Sequence, residues 1–131
     1  YAAMEETIAY AKQRKAFGKP IARFEGVSFP IAEHLTRMEA ARLLCYKTLW
    51  LRDKGMPHTK EAAMCKWWVP RLCVDAIHDA LLIHGHIGYS DECPQEQRLR
   101  DVIGMEIADG TAQIQKIIVA REIIGRDYLP Y

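Results

Sequence analysis

The stretch from Lys60 to about Ile83 constrains the chain more than any other. A helical stride runs through it, yet Ala62, Ala63, Cys65, Trp67, Trp68, Val69, Cys73, Val74, Ile77, Ala80 and Leu81 leave little polar surface on any side. A helix with one apolar stripe lies on a core; one apolar on more than one face has to be enclosed by neighbours or by another subunit. Pro70 falls inside the stretch, where its missing backbone donor is expected to cost about 3 kcal/mol or to kink the helix.

Neighbours for this helix are legible on both sides. From Tyr1 to Phe17, Met4, Ile8 and Ala11 keep a helical stride that Gly18-Lys19-Pro20 stops. From Val27 to Asp53, apolar positions such as Ile31, Leu35, Met38, Leu44 and Leu49 recur at spacings of three and four. Gly55 to Thr59 is a turn, with Thr59 placed to cap the apolar helix. Glycines punctuate His84 to Tyr89, and Cys93-Pro94 introduces a shorter helix from Gln95 to Met105. A second break at Ala108 to Thr111 precedes a last helix in which Ile114, Ile117, Ile118 and Ile124 line one face, ended by Gly125. No segment alternates with period two for long enough to make a strand. The expected fold class is all-α, an antiparallel bundle of about four to five helices joined by short turns.

Composition narrows the function classes. The 131 residues, 50% hydrophobic, suit one domain and are few for two. With 18 basic and 17 acidic residues mixed along the chain, there is no basic stripe for nucleic acid and no polybasic cluster for a membrane surface. No apolar run approaches the roughly 20 residues that span a bilayer, and no secretory signal is recognisable, so the reading is a soluble protein. Cys45, Cys65, Cys73 and Cys93 form no C-x-x-C pair; reduced intracellular thiols are the expectation, and neither a zinc site nor any other metal is expected. Tyr1 opens directly into helical periodicity with no capping residue before it, so the chain is expected to be part of something longer.

Binding determinants are expected in the breaks, where helix ends expose backbone groups. At Gln13 to Gly18, two cations and an aromatic close a helix; Arg14 and Lys15 either complement the negative end of the macrodipole or meet a ligand. At His84 to Gly88, glycines either terminate a helix or let backbone approach a planar or phosphorylated group. At Asp109-Gly110-Thr111, the carboxylate is either an N-cap or a general base held at a helix end. The residues alone do not separate these readings.

Three stretches carry a resemblance: Tyr10-Ala-Lys-Gln-Arg-Lys-Ala-Phe-Gly-Lys-Pro-Ile21, Arg98-Leu-Arg-Asp101, and Asp109-Gly-Thr-Ala-Gln-Ile-Gln115 followed by Ile118-Val-Ala-Arg121. In this order and spacing they resemble the C-terminal helical domain of acyl-CoA dehydrogenases. The resemblance implies a single helical domain over residues 1–131, belonging to a larger flavoenzyme with an N-terminal helical and a middle β-domain. It implies FAD bound between domains and reaching a neighbouring subunit, hence a homo-oligomer, tetramer or dimer. It further implies an acyl-CoA substrate, an electron-transfer flavoprotein as redox partner, and a cytoplasmic location, or the mitochondrial matrix in a eukaryote.

By position, Arg14 matches the arginine that meets the FAD pyrophosphate and Phe17 the aromatic packed on the same cofactor. Thr111 and Gln113 match flavin contacts, and Gly85 a retained glycine. Glu25 and Leu82 stand at cofactor positions where the family usually has Gln, and His86 stands where it has Gly. Asp109 occupies the position of the usual catalytic glutamate, with Gly110 beside it at the substrate. Three readings of Asp109 follow: it is the base, with the substrate held closer to suit a side chain one methylene shorter; the base lies upstream of Tyr1; or the parent kept the fold without the dehydrogenation. The first is the expectation, with a chain that has no activity by itself. A competing reading from another class is a helical assembly module with no redox role.

Overall fold

The structure, a computed structural model, describes residues 1–129. Its elements are α1 (Ala2–Gln13), a two-strand ladder of β1 (Lys15–Ala16) and β2 (Lys19–Pro20), α2 (Glu25–Asp53), α3 (Thr59–His84), the single turn α4 (His86–Tyr89), α5 (Gln95–Ile107) and α6 (Ala112–Ile124). Short 3-10 turns occupy Ile21–Arg23 and Arg126–Tyr128. The all-α expectation holds, with five longer helices and one short turn among the described residues.

α3 is the helix that the others share, packing against α1, α2, α5 and α6. Leu72, Ala76 and Ala80 recur every four residues along it and meet Met4 of α1 and Met38 and Ala41 of α2, with Leu35, Trp68 and Val69 packed around them. Alanines at the crossing let helix backbones approach closely, which fills the space without large side chains. Met4, Ala76 and Ala80 have no exposed surface at all. Pro70 lies within α3 without interrupting it; core neighbours on both sides, Val69 and Leu72, offset the missing hydrogen bond.

Polar ties fix the helices around this core. His34 of α2, 4% exposed, lies with Nε2 2.6 Å from Asp79 Oδ2 of α3. A carboxylate only accepts, so the proton of that bond belongs to His34 Nε2. Arg98 of α5 donates from both terminal nitrogens to the Glu6 carboxylate of α1, at 2.6 and 2.7 Å. Lys66 Nζ donates to the Met105 carbonyl near the end of α5 at 2.7 Å, and Lys116 of α6 lies 4.7 Å from the Trp67 ring centre.

Several boundaries differ from the sequence reading. α1 ends at Gln13, four residues before Phe17, because the chain turns into the hairpin from Arg14 onward. The two-residue ladder is too short for any alternation to reveal it. His58, not Thr59, is the cap position of α3 and makes no side-chain cap bond. α2 begins at Glu25 and contains Pro30 in its second turn, where the ring nitrogen cannot donate to the Gly26 carbonyl. α2 closes as a Schellman motif: Met56 N–H bonds Leu51 O at 2.9 Å, Gly55 N–H bonds Arg52 O at 2.9 Å, and Gly55 takes φ +66°. No residue of α6 is fully buried; Ile117 and Ile118 are half-covered while Ile114 and Ile124 are exposed. The expected apolar face therefore exists but is only partly covered by these helices.

Glu61, in the first turn of α3, is 6% exposed and pairs with Lys47 at 3.3 Å. Burial pushes its carboxyl up, but a backbone hydrogen bond, Lys47 and Lys60 together outweigh burial and leave it below the usual value. The Arg98 hydrogen bonds likewise lower Glu6, against a smaller upward push from burial. Both groups are lowered on folding, so their stabilisation is complete above the unfolded pKa of about 4.3 and is lost as pH falls through the folded value. The thermal midpoint should therefore drop as pH is taken from about 5 to about 3. Glu61→Gln should be less stable at pH 7 and show a shallower acid slope, measured by circular dichroism melts across that range.

Candidate functional site

The three breaks build two compact, exposed clusters with unusual backbone. In the first, β1 and β2 pair Lys15 with Pro20 and Ala16 with Lys19, leaving Phe17-Gly18 as a two-residue turn. Phe17 has φ +51° and Gly18 φ +78°. Positive φ at both central residues is what a type I′ turn requires, since its twist matches the flanking strands. Glycine takes this conformation without strain; phenylalanine does so at a cost on the order of 1–2 kcal/mol. Its ring nonetheless stays 94% exposed, touching Phe24 edge-on at 6.1 Å between centroids. Lys19 Nζ lies 4.5 Å from the centre of the Phe24 ring.

Arg14 closes the base of this hairpin. Its N–H donates to Tyr10 O and its carbonyl accepts from Ile21 N–H, both at 2.8 Å. Its guanidinium is exposed and has no partner among the described residues. Glu25 follows Phe24 as the exposed first residue of α2.

At the far end of α3, Gly85 donates to Leu81 O and Leu82 O at 3.1 and 3.0 Å. Its backbone, φ +67° and ψ −140°, is one only glycine adopts readily. A Cβ built there would meet nothing within 4 Å. Glycine is thus required by conformation, and the space above it is open. Leu82 is 60% exposed beside it. Tyr10 bridges this end to the hairpin, its hydroxyl donating to His84 O at 3.2 Å while its ring stacks on the His84 imidazole at 4.4 Å. Phe24 carries no signal in the sequence and Tyr10 only its place at the start of a matched stretch, because the periodicity that places a residue on a helix does not say which distant carbonyl or ring it meets. Arg14 and Phe17 thus follow the end of α1, Glu25 opens α2, and Leu82 and Gly85 lie at the end of α3, which Tyr10 joins to the end of α1.

Asp109, Gly110, Thr111 and Gln113 form a second cluster between α5 and α6. Asp109 has φ +55° and Gly110 φ +99°. The cap position of α6 belongs to Thr111, which makes no side-chain cap bond. The N-cap reading of Asp109 is therefore corrected: it lies two residues further out, and its exposed carboxylate has no partner among the described residues. Gln115 Nε2 donates back to the Asp109 carbonyl at 3.3 Å, and a Cβ at Gly110 would stand 2.8 Å from that nitrogen. Thr111 and Gln113 are exposed. Phe17 and Asp109 are the two non-glycine residues with positive φ among those described.

Other cavities lie elsewhere. One of about 450 Å³ between α2 and α3 is lined by Cys45, Thr48, Leu49, Cys65 and Val69 among others. Burial, with the nearby Cys65 thiol, pushes Cys45 up to about 11. All four cysteines are free. Among the described residues no group of three or more His, Cys, Asp or Glu side chains is arranged to hold a metal, and no helix is long and apolar enough to cross a membrane.

Comparison with known proteins assigns the family. Residues 1–124 match the model of the acyl-CoA dehydrogenase C-terminal domain. The probable acyl-CoA dehydrogenase YngJ of Bacillus subtilis (strain 168) is 40% identical over 123 residues, covering 94% of this chain and 32% of its own length. The caffeyl-CoA reductase-Etf complex subunit CarC of Acetobacterium woodii is 41% identical over 124 residues, covering 95% of this chain and 33% of its own. The solved structure of the FAD complex of PigA superposes with a TM-score of 0.91 at 34% identity, covering 95% of this chain and 32% of that one. The chain belongs to the acyl-CoA dehydrogenase family and corresponds to its C-terminal domain. It spans about a third of the length of the relatives it matches.

Phe17→Asn tests the cost of the hairpin tip. Asparagine tolerates the left-handed region, and the exposed ring gives up little burial, so the variant should be about 0.5–1 kcal/mol more stable in urea unfolding. A loss of stability would mean that the Phe24 contact outweighs the strain.

Proposed function

We propose that this chain is the C-terminal domain of a three-domain, FAD-dependent acyl-CoA dehydrogenase, which removes hydrogens from the α and β carbons of an acyl-CoA thioester to give the enoyl-CoA. The observation that carries the reading is backbone strain. The two non-glycine residues held at positive φ are Phe17 and Asp109, which the family resemblance assigns to cofactor and catalysis. Strain of this kind persists where surrounding structure holds it for a purpose.

Features of the first cluster fit FAD. An exposed guanidinium without a partner, Arg14, suits a pyrophosphate; the exposed Phe17 ring suits a planar or ribityl surface; and the open space over Gly85 lets backbone approach closely. Glu25 and Leu82 border the same region, and Thr111 and Gln113 would meet the flavin from the second cluster. Bound flavin supplies the acceptor for the β-hydrogen as hydride.

Asp109 takes the α-proton onto its carboxylate. Its freedom from ion pairs keeps it an available acceptor, and Gly110 beside it would border the thioester. The left-handed backbone at Asp109 re-aims a side chain one methylene shorter than glutamate. That aim matters because an error of about 1 Å can cost on the order of a hundredfold in rate.

Exposed apolar side chains support assembly. Leu43, Leu49 and Trp50 of α2, Met105 and Ile107 of α5, and Ile114 and Ile123 of α6 are exposed, more large apolar surface than a lone domain of this size ordinarily presents. A homo-oligomer, dimer or tetramer, and the parent's own remaining domains would cover it. An electron-transfer flavoprotein is the redox partner proposed, supported by the Etf complex to which the CarC relative belongs.

By itself the chain carries one side of such a site, so purified residues 1–131 should be colourless and show no flavin absorbance after incubation with FAD; a stoichiometric yellow complex would overturn this. In the parent enzyme, Asp109→Asn should slow acyl-CoA-dependent bleaching of bound flavin by at least about a hundredfold. Unchanged bleaching would remove Asp109 from the role of base.

A further inference from the structure

The last carbonyls of a helix have no partner within it and need one from elsewhere. At the end of α3 the Gly85 N–H covers Leu81 O and Leu82 O, and the His84 carbonyl receives the hydroxyl of Tyr10 from α1, 74 residues earlier in sequence. The same Tyr10 offers its own carbonyl to the Arg14 N–H at 2.8 Å. One residue therefore holds both the base of the hairpin and the residue preceding Gly85. The contact is reinforced from the other side. The Tyr10 ring lies on the His84 imidazole at 4.4 Å and 24°, and His84 Nδ1 is 2.8 Å from Ala80 O. A carbonyl only accepts, so Nδ1 carries the proton and the ring is locked in place for the stack.

The remaining polar ties of α1 to other helices lie nearer its start. Arg98 meets Glu6, Gln95 Nε2 approaches Ala3 O at 3.4 Å, and Met4 and Ala11 enter the core. These fix the helix as a body. None of them spans the gap between the hairpin and the Gly85 turn.

We propose that Tyr10 is a positioning residue for the dinucleotide: its hydroxyl bond to the His84 carbonyl sets the separation between Arg14 and Phe17 on one side and the bare backbone of Gly85 on the other, so that both reach the same FAD. The inference rests on the FAD site proposed above. It assigns Tyr10 a role in cofactor affinity and none in proton or hydride transfer.

The test uses the full-length parent enzyme, comparing Tyr10→Phe with Arg98→Gln. Tyr10→Phe keeps the ring stack and removes one hydrogen bond; Arg98→Gln cuts a different polar tie of the same helix. Tyr10→Phe should raise the dissociation constant for FAD about fivefold, the effect of one hydrogen bond, with turnover restored at saturating FAD and the apoprotein melting temperature within a degree or two of that of Arg98→Gln. Arg98→Gln should bind FAD like the wild type. Unchanged FAD affinity in Tyr10→Phe overturns the proposal, as does equal weakening in both variants, which would mean that only the overall stability of α1 matters. A wild-type parent that binds no FAD overturns the proposed function and this inference together, whereas normal wild-type binding with an unaffected Tyr10→Phe sinks the inference alone.

Discussion

Everything in this domain depends on the enclosure of one helix. α3 presents apolar side chains over more than one face, and water has to be excluded from all of them before the chain gains from folding. α1, α2, α5 and α6 each supply part of that enclosure. Small residues at the crossing, Ala76 and Ala80, make the approach close, and larger ones, Met4, Met38 and Leu72, fill what remains. The hydrophobic gain is distributed among four contacts, none of which could form a stable pair by itself in water.

Polar groups then decide register within this packing. A core of alanine and methionine tolerates sliding, because such side chains fill gaps of many shapes. The His34–Asp79 bond, the bidentate Arg98–Glu6 pair and the Lys66 bond to Met105 O each accept only one alignment of the helices that they join. Correct register matters most at the helix ends, since that is where Arg14, Gly85 and Asp109 are placed.

What the sequence made legible follows from the range of the forces involved. Helices α2, α3, α5 and α6 were readable because periodicity is a local property repeated over several turns, and Gly55 and Gly125 marked ends because their conformations are local too. The hairpin from Arg14 to Pro20 was hidden: two-residue strands leave no alternation, and Ala16-Phe17 continues the stride of α1 as far as pattern can tell. Asp109 read equally well as a cap or as a base, and the observed backbone removes only the first reading, because it gives the cap position to Thr111. The surplus apolar surface of α6 looked like an ordinary buried face, since a sequence does not distinguish a face covered by its own chain from one covered by another. The positions shared with the family were legible as motifs, Tyr10 among them, but the contacts of Tyr10 and Phe24 were not, because their partners are set by tertiary structure.

The central position of α3 in space contrasts with its position in sequence, and this matters while the protein is being made. α1 is complete roughly seventy residues before the end of the helix against which it packs. At the usual synthesis rate of about 5–20 residues per second, Met4 and Ala11 wait several seconds without a partner. α2, with its own exposed Leu43 and Trp50, emerges during the same interval. The architecture that makes the finished domain cooperative therefore leaves the nascent one with apolar helix faces uncovered until α3 is complete.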